Sequence, residues 1–61
     1  MSKIWYAAMR NKEDNDWGFG SFNLEEAKKM VLNFEEPDAY IAVIDDGDDP
    51  ICIGEIHQDE F

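Results

Sequence analysis

Cys52 and His57 are the single thiol and the single imidazole of the chain, so they are the first residues to test for nucleophilic catalysis. Such a pair needs its two side chains within hydrogen-bond contact. A separation of five residues along one strand puts them on opposite faces, about 16 Å apart at ~3.3 Å per residue. We therefore expect no catalytic pair, unless the strand ends early or a second chain supplies one of the two residues. Cys52 is predicted to be a buried core residue, and His57 is predicted to lie on the surface near the tail.

Carboxylates are the other groups that could do chemistry. Acid–base catalysis needs one carboxylate in a desolvated site, so that two pKa values separate, whereas these acids lie in polar, turn-like segments. Asp14, Asp16 and Gly18 match only part of the twelve-residue calcium loop of EF-hands. A loosely held divalent ion at the acids of residues 45–49 is an alternative to simple solvation. We expect a protein that is not an enzyme, with no catalytic residue, metal or cofactor.

Gly18, Gly20 and Ser21 precede a helix start, an arrangement that can bind phosphate. Their spacing matches neither the P-loop nor the dinucleotide fingerprint, and the acids around them would repel an anion. The favoured interpretation is that the glycines let a turn pack beneath aromatic side chains. Five Lys and Arg residues are too few for a positive face, so direct nucleic-acid binding is not expected.

The charge of the chain restricts its partners. Fifteen Asp and Glu oppose five Lys and Arg, which gives a net charge of −10 on 61 residues. Such a surface repels anionic membranes and attracts basic proteins. Hydrophobic residues make up 44% of the chain, which indicates a folded body rather than a disordered acidic tail. No apolar run has the ~20 residues of a membrane helix, and a cytoplasmic location in a bacterial host cell is expected.

The pattern of elements predicts one domain over residues 1–61. Asn23 is a good helix N-cap, with Glu26 placed as in a capping box, and Pro37 is expected to end the helix. A buried stripe should follow along the helix: Leu24, Ala27, Val31 and Phe34. Four further segments are predicted: a strand at Lys3–Arg10, a short strand or packed loop at Trp17–Phe22, a hairpin of Ala39–Ile44 with Ile51–Ile56, and a frayed tail at 57–61.

These elements define an α+β fold: a small, three- to four-stranded, mainly antiparallel sheet with one helix packed on one face, in the order β-(β)-α-β-β. The strands at Lys3–Arg10 and Ala39–Ile44 are apolar on both faces, and one helix covers only one of them. Because a chain of this size is marginal alone, we expect a homodimer to cover the second face. The alternative is a monomer whose own aromatic segment folds over the sheet.

Acidity could itself be the functional feature. A 61-residue globule has a diameter near ~27 Å, and a duplex of that length carries about 16 phosphate charges. The fifteen carboxylates are a comparable number, so the chain could mimic nucleic acid toward a basic groove.

The segments WGFGSFNLEEA (Trp17–Ala27) and AYIAVI (Ala39–Ile44) resemble the short acidic α+β proteins of bacteriophages and prophages. That class includes inhibitors of CRISPR nucleases and of other bacterial defence systems. The resemblance implies a stoichiometric inhibitor that occupies a partner protein. It assigns no functional residue.

The leading hypothesis is a non-enzymatic, homodimeric inhibitor that docks on a basic bacterial partner, such as a nucleic-acid-processing or defence protein. The alternative is a structural or regulatory subunit that associates through its apolar sheet face, with acidity serving solubility. The predicted charged contact consists of two groups: the acidic turn, Asp45, Asp46, Asp48 and Asp49, and the acidic loop, Glu13, Asp14 and Asp16. Aromatic residues dominate interface energetics, and the predicted apolar contacts are Trp5, Trp17 and Phe19.

Overall fold

The computed structural model describes residues 3–61, and within them it has the predicted α+β architecture. The elements follow in this order: β1 (Ile4–Met9), β2 (Gly20–Ser21), α1 (Leu24–Asn33), β3 (Tyr40–Asp45) and β4 (Ile51–His57). A short 3-10 helix, Gln58–Glu60, follows β4. The four strands form one antiparallel sheet in the order β2-β1-β3-β4.

The predicted hairpin is present as β3 and β4, but its register shifts along the strands. Val43 pairs with Gly54, and the next residue, Ile44, pairs with Cys52, so Ile53 is an extra residue in β4. Such a β-bulge reverses the alternation of side chains beyond it. This change of parity matters for Cys52 and His57 below.

Helix α1 begins as the sequence predicts. The side chain of Asn23 accepts a hydrogen bond from the Glu26 N–H at 3.1 Å. The Asn23 N–H donates to Ser21 Oγ at 3.0 Å, so Ser21 takes the place of the Glu26 side chain in a capping box. The helix ends at Asn33, before Pro37, because Glu35 adopts a left-handed backbone with φ 56°. Within residues 3–61, no helix combines the length and the apolar character that crossing a membrane requires.

The helix covers one face of the sheet. Ala27 and Val31 of α1 are buried against Ala8 and Ile41, while Leu24 and Phe34 pack at the margin. The predicted buried stripe is therefore confirmed. Complete burial of an aliphatic side chain such as Val31 stabilises the fold by about 1.5–3 kcal/mol.

The second face of the sheet is covered by the chain itself. Its buried cluster comes from β1 and β3: Ala7, Met9, Tyr40, Ala42 and Ile44. Trp5 and Trp17 pack against this cluster, Trp17 from the loop that joins β1 to β2. The structure thus has the arrangement that we weighed as the alternative, with an aromatic segment over the sheet. Strands β1 and β3 are thus covered on both faces by the chain itself, whereas Ile51 and Ile53 of β4 remain exposed, and the homodimer stays a prediction.

The C-terminal residues differ from the frayed tail that we expected. The Gln58 side-chain amide donates to the carbonyl oxygens of Glu36 at 2.8 Å and Ala39 at 3.0 Å. Phe61 packs against the helix-side cluster. These contacts tie residues 57–61 to the start of β3, and the composition of HQDEF gives no sign of them.

Candidate functional site

An aromatic pocket lies at the end of the sheet where β1 begins and β3 ends. Trp5, Trp17 and Phe22 line it, together with Asp46 and Pro50 from the β3–β4 turn and with the backbone around β2. Its volume is about 440 Å³, within the range of ~300–1,000 Å³ that is typical of ligand sites. The pocket joins three parts of the chain that are far apart in sequence.

The close approach of β2 to β1 builds this pocket. Gly20 pairs with Ala7, and a Cβ on Gly20 would lie 2.2 Å from the Tyr6 carbonyl oxygen. No side chain fits in that space, so glycine is required at position 20. The Ala8 N–H donates to the Phe19 carbonyl oxygen at 2.8 Å and extends the contact by one residue. The interpretation of the glycines as packing residues is confirmed at Gly20.

Side chains of the acidic loop form hydrogen bonds with the loop's own backbone. Asn11 Oδ1 accepts from the N–H groups of Glu13 and Asp14, both at 2.9 Å. Asp14 Oδ1 accepts from the Asp16 N–H at 3.1 Å, and Asp16 Oδ1 accepts from the Gly18 N–H at 3.0 Å. Side chains that bond the backbone two residues ahead are typical of turns. Asp14 and Asp16 therefore hold the loop that carries Trp17 over the sheet.

The four residues of the acidic turn differ in their exposure to solvent. Asp46, Asp48 and Asp49 are exposed, and Asp46 lines the aromatic pocket. Asp45 ends β3 opposite Ile4 and is half-buried, and its Oδ1 has no hydrogen-bond partner among residues 3–61. Because one of its carboxylate oxygens is buried, Asp45 is less accessible to a partner protein than the three exposed acids of the turn.

A polar cluster on the second sheet face contains Lys12, Tyr40, Glu55 and His57. Glu55 forms an ion pair with Lys12, and Glu55 Oε1 lies 3.0 Å from His57 Nε2. The His57 ring stacks on Tyr40 with centroids 5.2 Å apart, and Lys12 Nζ lies 4.8 Å from the centre of the Tyr40 ring. Glu13 is close by, because it lines a second cavity with Lys12 and His57.

These contacts shift three pKa values in this cluster. The hydrogen bond from Lys12, aided by that from His57, lowers the pKa of the Glu55 carboxyl. The same bond raises the pKa of Lys12. Burial raises the pKa of Tyr40, and the negative charge of Glu55 adds to that rise. All three shifts favour the ordinary charge states at neutral pH, which are an ionised Glu55, a protonated Lys12 and a neutral Tyr40.

The structure corrects two predictions for Cys52. Cys52 is exposed rather than buried, with its Sγ 3.2 Å from the Gly54 carbonyl oxygen. It also lies on the same sheet face as His57, because the extra Ile53 changes the parity of β4. Cys52 pairs with Ile44 and His57 with Tyr40, four residues apart on β3, which is ~13 Å along the strand. The two side chains are therefore not placed as a nucleophile and its base.

Metal-binding and phosphate-binding groups are the remaining candidates for chemistry in the described part of the chain. Within residues 3–61, no group of three or more His, Cys, Asp or Glu side chains is placed to hold a metal ion. Ser21 Oγ is engaged by the Asn23 N–H, and Gly20 is paired with β1. Gly20 and Ser21 are thus part of the sheet edge, and the Gly18 N–H donates to Asp16 Oδ1, so these groups are not arranged as a phosphate cradle.

The structure brings together only part of the predicted contact. Trp5, Trp17 and Asp46 meet in the aromatic pocket, whereas Phe19 packs on Phe34 at 5.9 Å between ring centroids and does not line it. The sequence reasoning did not select Phe22, whose side chain is 66% exposed. Its position directly after β2 could have indicated it, because the alternation in WGFGSF breaks at that point.

Comparison of the chain with protein-family models, with curated proteins and with solved structures finds no match. The resemblance to phage-encoded inhibitors therefore stays a prediction.

Proposed function

We propose that the chain is a non-enzymatic, acidic protein-binding module that docks on a basic bacterial partner and blocks its nucleic-acid site. It would act stoichiometrically, in the cytoplasm of a bacterial host. A nuclease, helicase or polymerase with a positive groove is the kind of partner that its charge fits.

The observation that carries this proposal is the outward placement of the carboxylates. All fifteen lie within residues 3–61, none is buried, and only Asp14 and Asp45 are half-buried. Removing a carboxylate from water is unfavourable without a paired charge, so exposure is the expected state of each acid. What is specific to this chain is the number of acids on so small a surface.

The chain's own cations neutralise little of this surface. Lys12 is paired with Glu55, Lys28 lies 3.7 Å from Glu25, and Arg10 Cζ lies 4.6 Å from the centre of the Phe34 ring. Among residues 3–61, ion pairs involve two acids, Glu25 and Glu55, so most of the carboxylates there lie outside an ion pair. The longest dimension of the molecule is 34 Å, and a duplex of that length carries about 20 phosphates. This similarity in charge and length supports a nucleic-acid mimic.

The competing function is a structural or regulatory subunit that associates through its apolar sheet face. That face is occupied by Trp5 and Trp17 of the same chain, so such a subunit would need another surface. A homodimer has the same difficulty, and two copies with a charge of −10 each repel one another. We expect a monomer at low ionic strength, which light scattering at several concentrations measures directly.

The first experiment is recovery of the tagged protein from a bacterial host, followed by association kinetics with the protein recovered. A basic nucleic-acid-binding protein, displaced from its nucleic acid by this chain, would support the proposal. Recovery of an acidic or neutral scaffold would contradict it.

Two charge-matched variants sharpen the kinetic test. The first replaces the four acids of the acidic turn by asparagine. The second removes four exposed acids elsewhere, by amide substitution of Glu35, Glu36, Asp38 and Asp59. Electrostatic steering raises association rates by about 10- to 1,000-fold, so we expect the first variant to slow association about ten-fold in low salt. Equal slowing by the two variants would show that net charge acts and that the turn is not the contact.

A further inference from the structure

The aromatic pocket combines aromatic residues with an acid, and the high net negative charge of the chain does not account for this combination. Trp5, Trp17 and Phe22 line the pocket together with one acidic residue, Asp46. The face of an aromatic ring carries partial negative charge and attracts a cation, most strongly in tryptophan. A carboxylate next to such rings adds a full negative charge.

We propose that this pocket binds the side chain of one arginine of the partner protein. The inference deepens the proposed function and rests on it, because it assumes a basic protein partner. It assigns the arginine's guanidinium to the Trp5, Trp17 and Phe22 rings and to the Asp46 carboxylate.

The chemistry of the pocket selects a cation over an apolar group. An apolar side chain would fill the space but would remove water from Asp46 without replacing it, which is unfavourable for a charged group. A guanidinium satisfies both parts of the pocket, since it stacks on rings with its plane and donates to a carboxylate with its edge.

Arginine fits better than lysine. Its guanidinium is flat and more weakly hydrated than an ammonium, so it stacks on aromatic rings at a lower desolvation cost. The same chain already has such a contact, with Arg10 Cζ 4.6 Å from the centre of the Phe34 ring. Within residues 3–61, no Lys or Arg of the chain itself lines the pocket, so the rings and Asp46 are left for a cation from outside.

The chain supplies its own reporter for this site. It has two tryptophans, Trp5 and Trp17, and both line the pocket. A guanidinium in van der Waals contact with either ring should change tryptophan fluorescence. It should also move the two indole N–H signals in a ¹H–¹⁵N spectrum. Binding elsewhere on the acidic surface should leave both readouts unchanged.

The probe is a capped pentapeptide with three arginines, compared with the same peptide carrying lysine or the uncharged isostere citrulline. We expect saturable changes of fluorescence with the arginine peptide, binding several-fold weaker with lysine, and none with citrulline. Lysine binding equal to that of arginine would overturn the assignment of a guanidinium.

Asp46→Asn and Asp59→Asn form a charge-matched pair, because both acids are exposed and only Asp46 lines the pocket. We expect Asp46→Asn to weaken binding about five- to ten-fold, because the amide oxygen still accepts a neutral hydrogen bond and only the charge assistance is lost. Asp59→Asn should weaken binding less than two-fold.

Phe22→Ala and Leu32→Ala are the matched pair for the rings, since both side chains are more than half exposed and neither change should unfold the chain. We expect Phe22→Ala to weaken binding about three-fold, the effect of one exposed cation–π contact, and Leu32→Ala to leave the affinity unchanged.

The outcomes separate this inference from the proposed function. If the arginine peptide binds without affecting either tryptophan, and Asp46→Asn and Asp59→Asn weaken it equally, the pocket is not the site. An acidic module that docks on basic proteins would remain. If the arginine peptide does not bind in low salt, the inference is overturned directly, and recovery of a non-basic partner would overturn the proposed function separately.

Discussion

Replacing Gly20 by alanine is the sharpest test of how the second sheet face is covered. The added Cβ would lie 2.2 Å from the Tyr6 carbonyl oxygen, 2.7 Å from Trp5 Cζ3 and 2.8 Å from Ala7 Cα. Two of these three atoms belong to the backbone of β1, so no side-chain rotation can relieve the contact. Overpacking usually costs about 1–3 kcal/mol, and we expect about 3 kcal/mol here because strands β1 and β2 must separate.

That cost is large for a chain of this size. At roughly 0.05–0.15 kcal/mol per residue, its free energy of unfolding is about 3–9 kcal/mol. A loss of 1 kcal/mol lowers Tm by about 4–8 °C in a domain of this size. We therefore expect Gly20→Ala to lower Tm by at least ~12 °C. Thermal unfolding followed by far-UV circular dichroism measures the change, and the near-UV tryptophan signal reports on the packing of Trp5.

Gly54→Ala is the matched control. A Cβ on Gly54 would lie 4.0 Å from Val43 Cβ, an ordinary van der Waals contact. Alanine in a backbone conformation that it tolerates stabilises a protein by about 0.4–1 kcal/mol, because it restricts the unfolded chain. The two substitutions should thus change Tm in opposite directions. Equal Tm values for Gly20→Ala and Gly54→Ala would refute the close approach of β2 to β1.

Three further predictions concern stability. Glu35→Gly should raise the free energy of unfolding by about 1 kcal/mol, because a left-handed backbone is unfavourable for a residue with a Cβ; an unchanged urea midpoint would contradict this. The lowered pKa of Glu55 means that its ion pair with Lys12 stabilises the fold above the unfolded pKa of about 4.3, and that this contribution is lost as pH falls through the lower folded pKa. Melts from pH 7 to pH 3 should therefore show a smaller drop in Tm for Glu55→Gln than for the parent chain. Added salt should raise Tm by screening the repulsion between carboxylates, because the Debye length of about 10 Å at 0.1 M is close to the radius of gyration of 10.7 Å. The variant with four asparagines in the acidic turn should show a smaller rise in Tm with salt. An equal rise in both proteins would rule out repulsion at that turn.

The parts of the fold that local chemistry determines could be predicted from the sequence. The N-cap at Asn23, the stripe through Ala27 and Val31, and the hairpin around the acidic turn each depend on residues close together in the chain. Capping and amphipathic spacing act over a few residues, so a pattern can identify them.

The features that sequence reasoning missed depend on distant contacts. The bulge at Ile53 is not visible in ICIGEI, because an extra apolar residue among apolar residues leaves no break in the pattern. The sequence could not decide whether Trp17 or a partner chain covers the second sheet face. It also could not decide whether Phe61 packs on the fold or lies in a free tail, since composition does not say which surface an aromatic residue contacts. The sequence predicts no pocket: Trp5, Trp17 and Asp46 are predicted as contact residues, but their meeting with one another and with Phe22 depends on the register of β2.

The bulge also has a consequence for the behaviour of the protein at high concentration. Strand β4 lies at the rim of the sheet, where its outer N–H and C=O groups could template the addition of another strand, and it carries the exposed side chains of Ile51 and Ile53. A flat apolar rim of that kind is a starting point for fibril growth. Here Pro50 precedes the strand and Ile53 distorts its middle. The extra residue that brings Cys52 to the face of His57 should thus also hinder the addition of a strand from a neighbouring molecule.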